Sequence, residues 1–337
     1  MGFTRREFLG ACVGGAILAA SGLFLWRKFL RSTWQAQTFI AKVPGYQADI
    51  ATVICEGLRH LGVSPQEIKG KRILLKPNLV ETNPASIHIN THPLVVRGAV
   101  EAFLKFGASR VMVAEGPGHC QDTLRVLEES GLGEVLWEDR IPFIDLNYQD
   151  AYSMPNVGKF SSLTSLTFPA ILRQVDLIVS LAKIKTHHWA GITLSMKNLF
   201  GFMPGLYYGW PKNVLHYAGI EEAILDITAT LRPHLAIVDG IVGMEGDGPI
   251  MGDPKPAGVL VMGRNLPAVD ATCARVMKIN PYRVGYLKRA EFVLGTINEA
   301  DIVQVGEPIA AVATEFTLLN YIPSQKALRM GFWGKFI

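Results

Sequence analysis

Short apolar runs alternate with helical segments along most of this 337-residue chain, and this alternation constrains the fold more than any other feature. The apolar runs cover residues 72–78, 110–116, 142–146, 176–185, 235–240 and 257–263. Segments whose apolar residues recur every three or four positions, as in an amphipathic helix, cover residues 93–106, 122–130, 219–231 and 267–277. Apolar strands separated by helices are typical of a parallel sheet buried on both sides. We therefore predict an α/β fold, with a largely parallel sheet and helices on both of its faces.

The first 32 residues resemble an export signal or a membrane anchor. The motif RREFL at residues 5–9 is similar to the twin-arginine signal, and an apolar stretch runs on to residue 26. Residues 8–26 are about long enough to cross a bilayer as one helix, and no convincing cleavage site follows. We expect one N-terminal apolar helix within residues 1–32 that anchors a single α/β body, residues 33–337, on the periplasmic side of the inner membrane. A general secretory signal or an ordinary anchor that begins with two arginines is the alternative.

The charge distribution argues against a nucleic-acid-binding protein. The chain has 33 basic and 29 acidic residues, a net charge of +4. Residues 1–32 hold five of the basic residues and one of the acidic residues, so the body is neutral. A protein that follows a phosphate backbone needs a broad basic surface. We expect no nucleic-acid partner.

The four cysteines predict no iron–sulfur cluster. Cys12 lies in the apolar stretch, and Cys55, Cys120 and Cys273 are far apart in the sequence. There is no C-x-x-C motif, which iron–sulfur clusters and zinc ribbons commonly use. The cofactor is left unknown by this pattern.

Polar residues follow four of the predicted strands. In a parallel sheet, ligands bind beyond the carboxyl ends of the strands. The residues at these ends are Lys76, Asn78, Glu115, Lys183, Lys185, His187 and Asp239. Strand ends are also exposed, so solvation alone explains any one of these residues. Four strands ending in side chains of mixed charge favour a site.

The loop at residues 239–256 is a candidate metal site. It contains five glycines and three prolines, a composition that predicts neither a helix nor an ordinary strand. Its carboxylates include Asp239, Glu245 and Asp247, and oxygen ligands suit a divalent cation such as magnesium or calcium. A solvated acidic turn is the alternative.

The glycine-rich aromatic segment at residues 198–219 is a candidate lid or pocket wall, or else part of the core or a membrane-facing surface.

Six ordered motifs resemble one family. They are LKPNLV at 75–80, EGPG at 115–118, LAKIKTH at 181–187, MKNLFG at 196–201, VDGIVGMEGDGP at 238–249 and PAVDATCARVM at 267–277. Their order is similar to that of the family catalogued as domain of unknown function 362, over residues 72–308. Its members are largely uncharacterised, and some carry a ferredoxin-like iron–sulfur segment. The resemblance implies a single α/β unit with a common site and names no reaction.

The sequence supports two hypotheses of function. The first is an exported enzyme that acts on a small anionic substrate, with a divalent metal as a possible cofactor. In that hypothesis His187 and Glu245 are catalytic, and Asp239 and Asp247 hold the metal. The substrate-binding residues would be Lys76, Asn78, Lys183, Lys185, Lys197 and Asn198. The second is a non-catalytic, membrane-tethered protein that binds a ligand or assists a redox partner protein.

Overall fold

A computed structural model describes residues 35–81 and 87–329. The predicted N-terminal helix lies outside these residues. Within these residues, no helix has the length and hydrophobicity needed to span a bilayer. The strands are β1 (Ala36–Lys42), β2 (Arg72–Pro77), β3 (Arg110–Glu115), β4 (Phe143–Asp145), β5 (Ala151–Pro155), β6 (Ser165–Pro169), β7 (Leu177–His187), β8 (Gly191–Thr193), β9 (Leu235–Glu245), β10 (Asp253–Gly263) and β11 (Ile302–Gly306).

The α-helices lie between these strands and after them. They are α1 (Ile50–His60), α2 (Pro65–Ile68), α3 (Pro93–Lys105), α4 (Thr123–Glu129), α5 (Leu132–Glu138), α6 (Ser195–Asn198), α7 (Gly205–Tyr208), α8 (Asn213–Tyr217), α9 (Ile220–Leu231), α10 (Leu266–Val276), α11 (Gly285–Ala290) and α12 (Ile309–Val312). Short 3-10 helices cover Ala170–Arg173, Leu199–Phe202, Pro281–Arg283, Glu299–Asp301 and Pro323–Gln325.

The main sheet has the strand order β11-β1-β10-β9-β7-β2-β3-β4, with β8 paired to the end of β7. Five pairings are parallel, namely β11–β1, β9–β7, β7–β2, β2–β3 and β3–β4. Strand β10 is antiparallel to both of its neighbours, and β8 is antiparallel to β7. β5 and β6 form a separate antiparallel pair. The prediction of a mainly parallel central sheet is confirmed.

Helices cover both faces because successive side chains of a strand point to opposite sides. In β2, Ile73 and Leu75 pack into one apolar cluster with residues of α1, α3, α4 and α5. Leu74 packs into the other cluster, with residues of α6, α8, α9, α10 and α11. The ten sequence segments predicted as strands or helices are all present, with shifted ends.

The prediction for the loop at residues 239–256 is wrong in part. β9 continues to Glu245 and β10 begins at Asp253, so the two strands form a long hairpin. Pro254 and Pro256 lie in the part of β10 that runs past the end of β1, where the described strands pair with it on one side alone. Proline is tolerated at such an edge because its missing N–H has no strand to meet there.

Asp270 determines where α6 begins. Its carboxylate accepts hydrogen bonds from Ser195 N at 2.8 Å, Ser195 Oγ at 2.5 Å and Met196 N at 3.0 Å. The sequence places Asp270 near the start of α10, where a carboxylate is favourable to that helix itself. In the fold it instead satisfies the free N–H groups at the start of α6, and so positions Lys197 and Asn198.

Candidate functional site

A cavity of about 100 Å³ opens at the carboxyl ends of β2, β3 and β7. Of the predicted site residues, six line it together: Lys76, Asn78, Lys185, His187, Lys197 and Asn198. It is also lined by ionisable residues that the sequence hypothesis did not include, namely Glu115, His119, His188, Lys212 and His216. This placement follows the rule for parallel sheets, because the strands bring residues that are distant in sequence to one edge.

A buried ion pair forms the floor of the site. Lys76 Nζ lies 2.5 Å from Glu115 Oε2, and each side chain is 1% exposed. Lys76 also donates to Pro77 O at 2.8 Å and to Asn198 Oδ1 at 2.9 Å. Burial lowers the pKa of Lys76, and the Glu115 charge opposes that shift. The three donors of the ammonium therefore all have acceptors.

Both carboxylate oxygens of Glu115 also accept backbone hydrogen bonds. Its Oε2 accepts from Leu79 N at 3.1 Å, and its Oε1 accepts from Gly116 N at 2.8 Å. The turn at Gly201 lies against the pair, since a Cβ atom there would be 1.8 Å from Glu115 Oε1 and 2.4 Å from Lys76 Cε. Glycine is thus required at the end of the MKNLFG motif. The negative charge of Glu115 is therefore balanced by the positive charge of Lys76.

Two asparagines connect this pair to the cavity. Asn198 Nδ2 donates to Lys76 O at 3.0 Å, and its Oδ1 accepts from Lys76 Nζ, which determines the orientation of the amide. Asn78 Nδ2 then donates to Asn198 Oδ1 at 3.3 Å, leaving Asn78 Oδ1 buried without a partner. Thr193 Oγ1, also at the cavity, is buried and unpartnered too. Unpaired buried polar atoms of this kind are uncommon and indicate room for a ligand or water.

Three cavity lysines have no carboxylate partner among the described residues. Lys185 donates only to carbonyl oxygens, Ile89 O at 2.8 Å and Pro249 O at 3.3 Å. Lys212 donates to Asn147 Oδ1 at 2.8 Å and to Met203 O. Lys197 Nζ lies 3.6 Å from the centre of the Phe200 ring.

Burial and mutual repulsion lower the pKa values of these lysines. Burial, and then the charges of Lys76 and Lys212, lower the pKa of Lys197 to about 7. Burial lowers the pKa of Lys212 to about 7, with Lys76 adding to the shift and Glu115 opposing it. The pKa of Lys185 is well below its ordinary value, from burial and from three neighbouring lysines. Among the described residues that line the cavity, Glu115 is the one carboxylate, and it is paired with Lys76.

Two histidines present opposite hydrogen-bonding groups. His187 Nδ1 accepts from Trp189 N at 3.0 Å and Ala190 N at 3.2 Å, so its proton lies on Nε2. His216 Nδ1 lies 3.1 Å from Lys212 O, which can only accept, so its proton lies on Nδ1 and Nε2 is bare. Burial is the main cause that lowers the pKa of His216 to about 4 and that of His187 well below its ordinary value. At neutral pH one ring offers an N–H and the other a lone pair.

Lys183 and Asp239 lie outside the cavity lining. They form a second buried ion pair, with Lys183 Nζ 2.9 Å from Asp239 Oδ2 and both side chains 0% exposed. Lys183 also donates to Tyr46 Oη at 2.9 Å, and Asp239 accepts from Tyr46 Oη, His92 N and Ile241 N. Ile184 packs on the opposite face, as the alternation predicts. Each group of this second pair is thus already bonded within the fold.

Glu245 and Asp247 also lie outside the cavity lining. Glu245 Oε2 accepts from Thr317 N at 2.8 Å and lies 3.1 Å from Lys255 Nζ. Asp247 is 44% exposed and lies 3.7 Å from His188 Nδ1. Within residues 35–81 and 87–329, no three His, Cys, Asp or Glu side chains are grouped to hold a metal ion. The catalytic role of Glu245 and the metal role of Asp239 and Asp247 stay predictions.

The sequence hypothesis missed Lys212 for a physical reason. Lys212 follows no strand; it precedes α8 in the left-handed backbone region, at φ 67°, within the aromatic segment. Its side chain is 2% exposed and turns inwards to Asn147. Glu115 is recognisable from the sequence as a strand-end residue in the EGPG motif, but the sequence does not indicate that it pairs with Lys76.

The thiols of Cys55, Cys120 and Cys273 are free.

A pair of matched substitutions on β7 separates structural lysines from ligand-binding lysines. We expect Lys183→Met to lower the free energy of unfolding by about 3–5 kcal/mol, because it leaves the Asp239 charge buried and unpaired. Lys185→Met should cost about 1 kcal/mol or less, since it removes a buried amine that has no charged partner. Urea denaturation of the purified proteins at pH 7 measures both. Equal costs, or a larger cost for Lys185→Met, would contradict this assignment.

Comparisons with known proteins place the chain in a family without assigning an activity. It is 27% identical over 217 residues to the thylakoid-associated protein sll1697 of Synechocystis sp., covering 63% of this chain and 64% of that protein. The chain thus spans less than two thirds of this relative.

Two solved structures are similar at low identity. The lactate racemase apoprotein from Thermoanaerobacterium thermosaccharolyticum is 15% identical, with a TM-score of 0.42, over 72% of this chain and 57% of that one. A Thermotoga maritima protein is 13% identical, with a TM-score of 0.38, over 69% of this chain and 59% of that one. A family model described as domain of unknown function (DUF362) matches residues 73–275, and the chain belongs to that family.

Proposed function

We propose that the cavity binds a small carboxylate or phosphate anion and that the protein is an enzyme that transfers protons to or from it. The observation that carries the proposal is the presence of Lys185, Lys197 and Lys212 around one cavity without a carboxylate partner among the described residues. Buried cations that face one space are stabilised when an anion enters it. A bound anion supplies the negative charge that Glu115 does not.

The polar atoms of the cavity describe the ligand further. Asn78 Oδ1 and Thr193 Oγ1 can accept hydrogen bonds, so they suit a hydroxyl or N–H group beside the anionic group. About 100 Å³ has room for several waters or a small organic acid. The ligand class is therefore a small acid with a second polar group.

The two histidines favour an enzyme over a simple carrier. Anion capture needs only cations, whereas His187 Nε2–H and His216 Nε2 offer a donor and a base at the same cavity. The two rings are in opposite tautomers, so His216 can take up a proton while His187 donates a hydrogen bond to the ligand. His187, whose Nδ1 is occupied by two amides, serves as the donor in this proposal. The alternative is a non-catalytic membrane-tethered ligand-binding or redox-accessory protein, which would bind the anion without turnover.

Substitution of the cavity lysines tests the binding site. We expect Lys185→Met and Lys212→Met each to weaken binding of glycolate and inorganic phosphate at least tenfold, because each removes a cation that faces the anion. Isothermal titration calorimetry on the purified protein measures the affinity. Lys71→Met, which changes an exposed lysine, is the matched control and should bind as the wild type does. Unchanged affinity in both cavity variants would refute the anion site.

The pH dependence of binding follows from the lowered lysine pKa values. Lys197 and Lys212 have pKa values of about 7 in the free protein, and an anion favours their protonated forms. Binding above pH 7 must therefore take up protons, so the affinity should fall by about tenfold per pH unit for each lysine involved. Glycolate is the probe because its charge is constant over this range. Calorimetry from pH 6 to 9 that showed a flat or rising affinity would contradict the role of these lysines.

We also propose that the protein is exported and anchored on the periplasmic side of the inner membrane, with residues 33–337 as one α/β body. The support is the RREFL motif and the apolar stretch after it, within residues 1–32. Replacing Arg5 and Arg6 by lysine should leave the protein inaccessible to protease added to spheroplasts, because the twin-arginine route would no longer accept it. Unchanged access would favour a general secretory signal.

A divalent metal stays a proposal too, and elemental analysis of the purified protein tests it.

A further inference from the structure

The four cavity lysines differ in what holds their amino groups. Lys76 has three acceptors, one of them the Glu115 carboxylate, and Lys185 and Lys212 have two oxygen acceptors each. Lys197 contacts the face of the Phe200 ring, and among the described residues it has no hydrogen-bond acceptor. Its nitrogen is therefore the least constrained of the four.

The surroundings of Lys197 also favour its neutral form. The Phe200 ring attracts a cation only weakly compared with a carboxylate, and the charges of Lys76 and Lys212 disfavour a further charge nearby. An amine that is desolvated and next to another cation is a nucleophile at neutral pH, because its lone pair is free. Lys185 and Lys212 share these two properties, but the amino group of each donates to two oxygen acceptors, whereas Lys197 lies against a ring.

We propose that Lys197 is a nucleophile that forms an imine with the carbonyl carbon of a small 2-oxo acid bound in the cavity. This inference rests on the proposed anion binding, since the carboxylate of the acid is held by Lys185 and Lys212. A 2-oxo acid combines the anionic group that these lysines require with the electrophilic carbon that an amine attacks.

The bond changes balance without an oxidant or reductant. The Lys197 Nζ lone pair forms a C–N bond, and the carbonyl π electrons move to oxygen, which takes a proton to give a carbinolamine. His216 Nε2 takes this proton from the nitrogen and passes it to the oxygen, while His187 Nε2–H donates a hydrogen bond that stabilises the negative charge on that oxygen. His216 then moves the second nitrogen proton to the hydroxyl, which leaves as water, and a C=N bond remains. The imine then withdraws electrons from the neighbouring carbon, which makes a proton there easier to remove.

Reductive trapping tests the proposal on the full-length purified protein. Incubation with pyruvate and sodium cyanoborohydride at pH 7 should add one reduced pyruvyl group per chain, and peptide mass spectrometry should place it on Lys197. An excess of glycolate, which has a carboxylate but no carbonyl, should suppress the labelling by occupying the site. Lys197→Arg keeps the positive charge without a nucleophilic amine and should abolish the label, whereas Lys71→Arg should retain it.

The outcomes separate this inference from the anion site itself. Labelling of Lys212 or Lys185, or labelling that glycolate does not suppress, would overturn the assignment to Lys197. If glycolate binds by calorimetry but pyruvate leaves no reducible adduct, the anion site stands and the imine does not. If neither acid binds, both proposals fall. Because the label is mapped in the wild-type protein, the result does not depend on whether a variant folds.

Discussion

The buried Lys76–Glu115 ion pair organises the rest of the site. Burying two charged groups costs on the order of several kcal/mol per ion. This cost is offset only when each charge is also fully hydrogen-bonded. The fold meets this requirement with two backbone amides for Glu115 and with Pro77 O and Asn198 for Lys76. These contacts join β2, β3 and α6, and the close approach at Gly201 adds the turn after α6. The pair therefore links the elements that line the cavity.

Two buried lysine–carboxylate ion pairs have different consequences in this sheet. Lys183 and Asp239 are enclosed with Tyr46, and each charge is met by groups of the fold. Around Lys76 and Glu115, three further lysines approach, and one carboxylate cannot neutralise them all. An excess of buried cations is unfavourable in an empty cavity and favourable once an anion is present. Both places contain buried charge. The ligand site differs from the structural ion pair because its lysines outnumber its carboxylates.

The sequence predicted the sheet and half of the site, and the remainder depended on long-range contacts. Continuous apolar strands and helical periodicity were sufficient for the ten elements assigned between residues 72 and 277. Strand-end position was sufficient for Lys76, Lys185 and His187, because parallel strands share an edge. It failed to separate Lys183 from Lys185, since a register shift between β7 and β9 at these two residues sends neighbouring lysines of one strand to different partners. Lys212 depends on a left-handed turn, which no periodic pattern indicates.

The Lys76–Glu115 ion pair also affects the reactivity of the Lys197 amine. Burial lowers the pKa of Lys197 to about 7, and the positive charge of Lys76, which Glu115 keeps hydrogen-bonded next to it, adds to that shift. Anion capture needs protonated lysines, whereas attack on a carbonyl needs a neutral one, and a single lysine cannot do both at once. The cavity divides these tasks by hydrogen bonding, because Lys185 and Lys212 point at oxygen acceptors and Lys197 lies against a ring. A reaction that uses both should therefore be fastest near the pH where the lysines are half protonated.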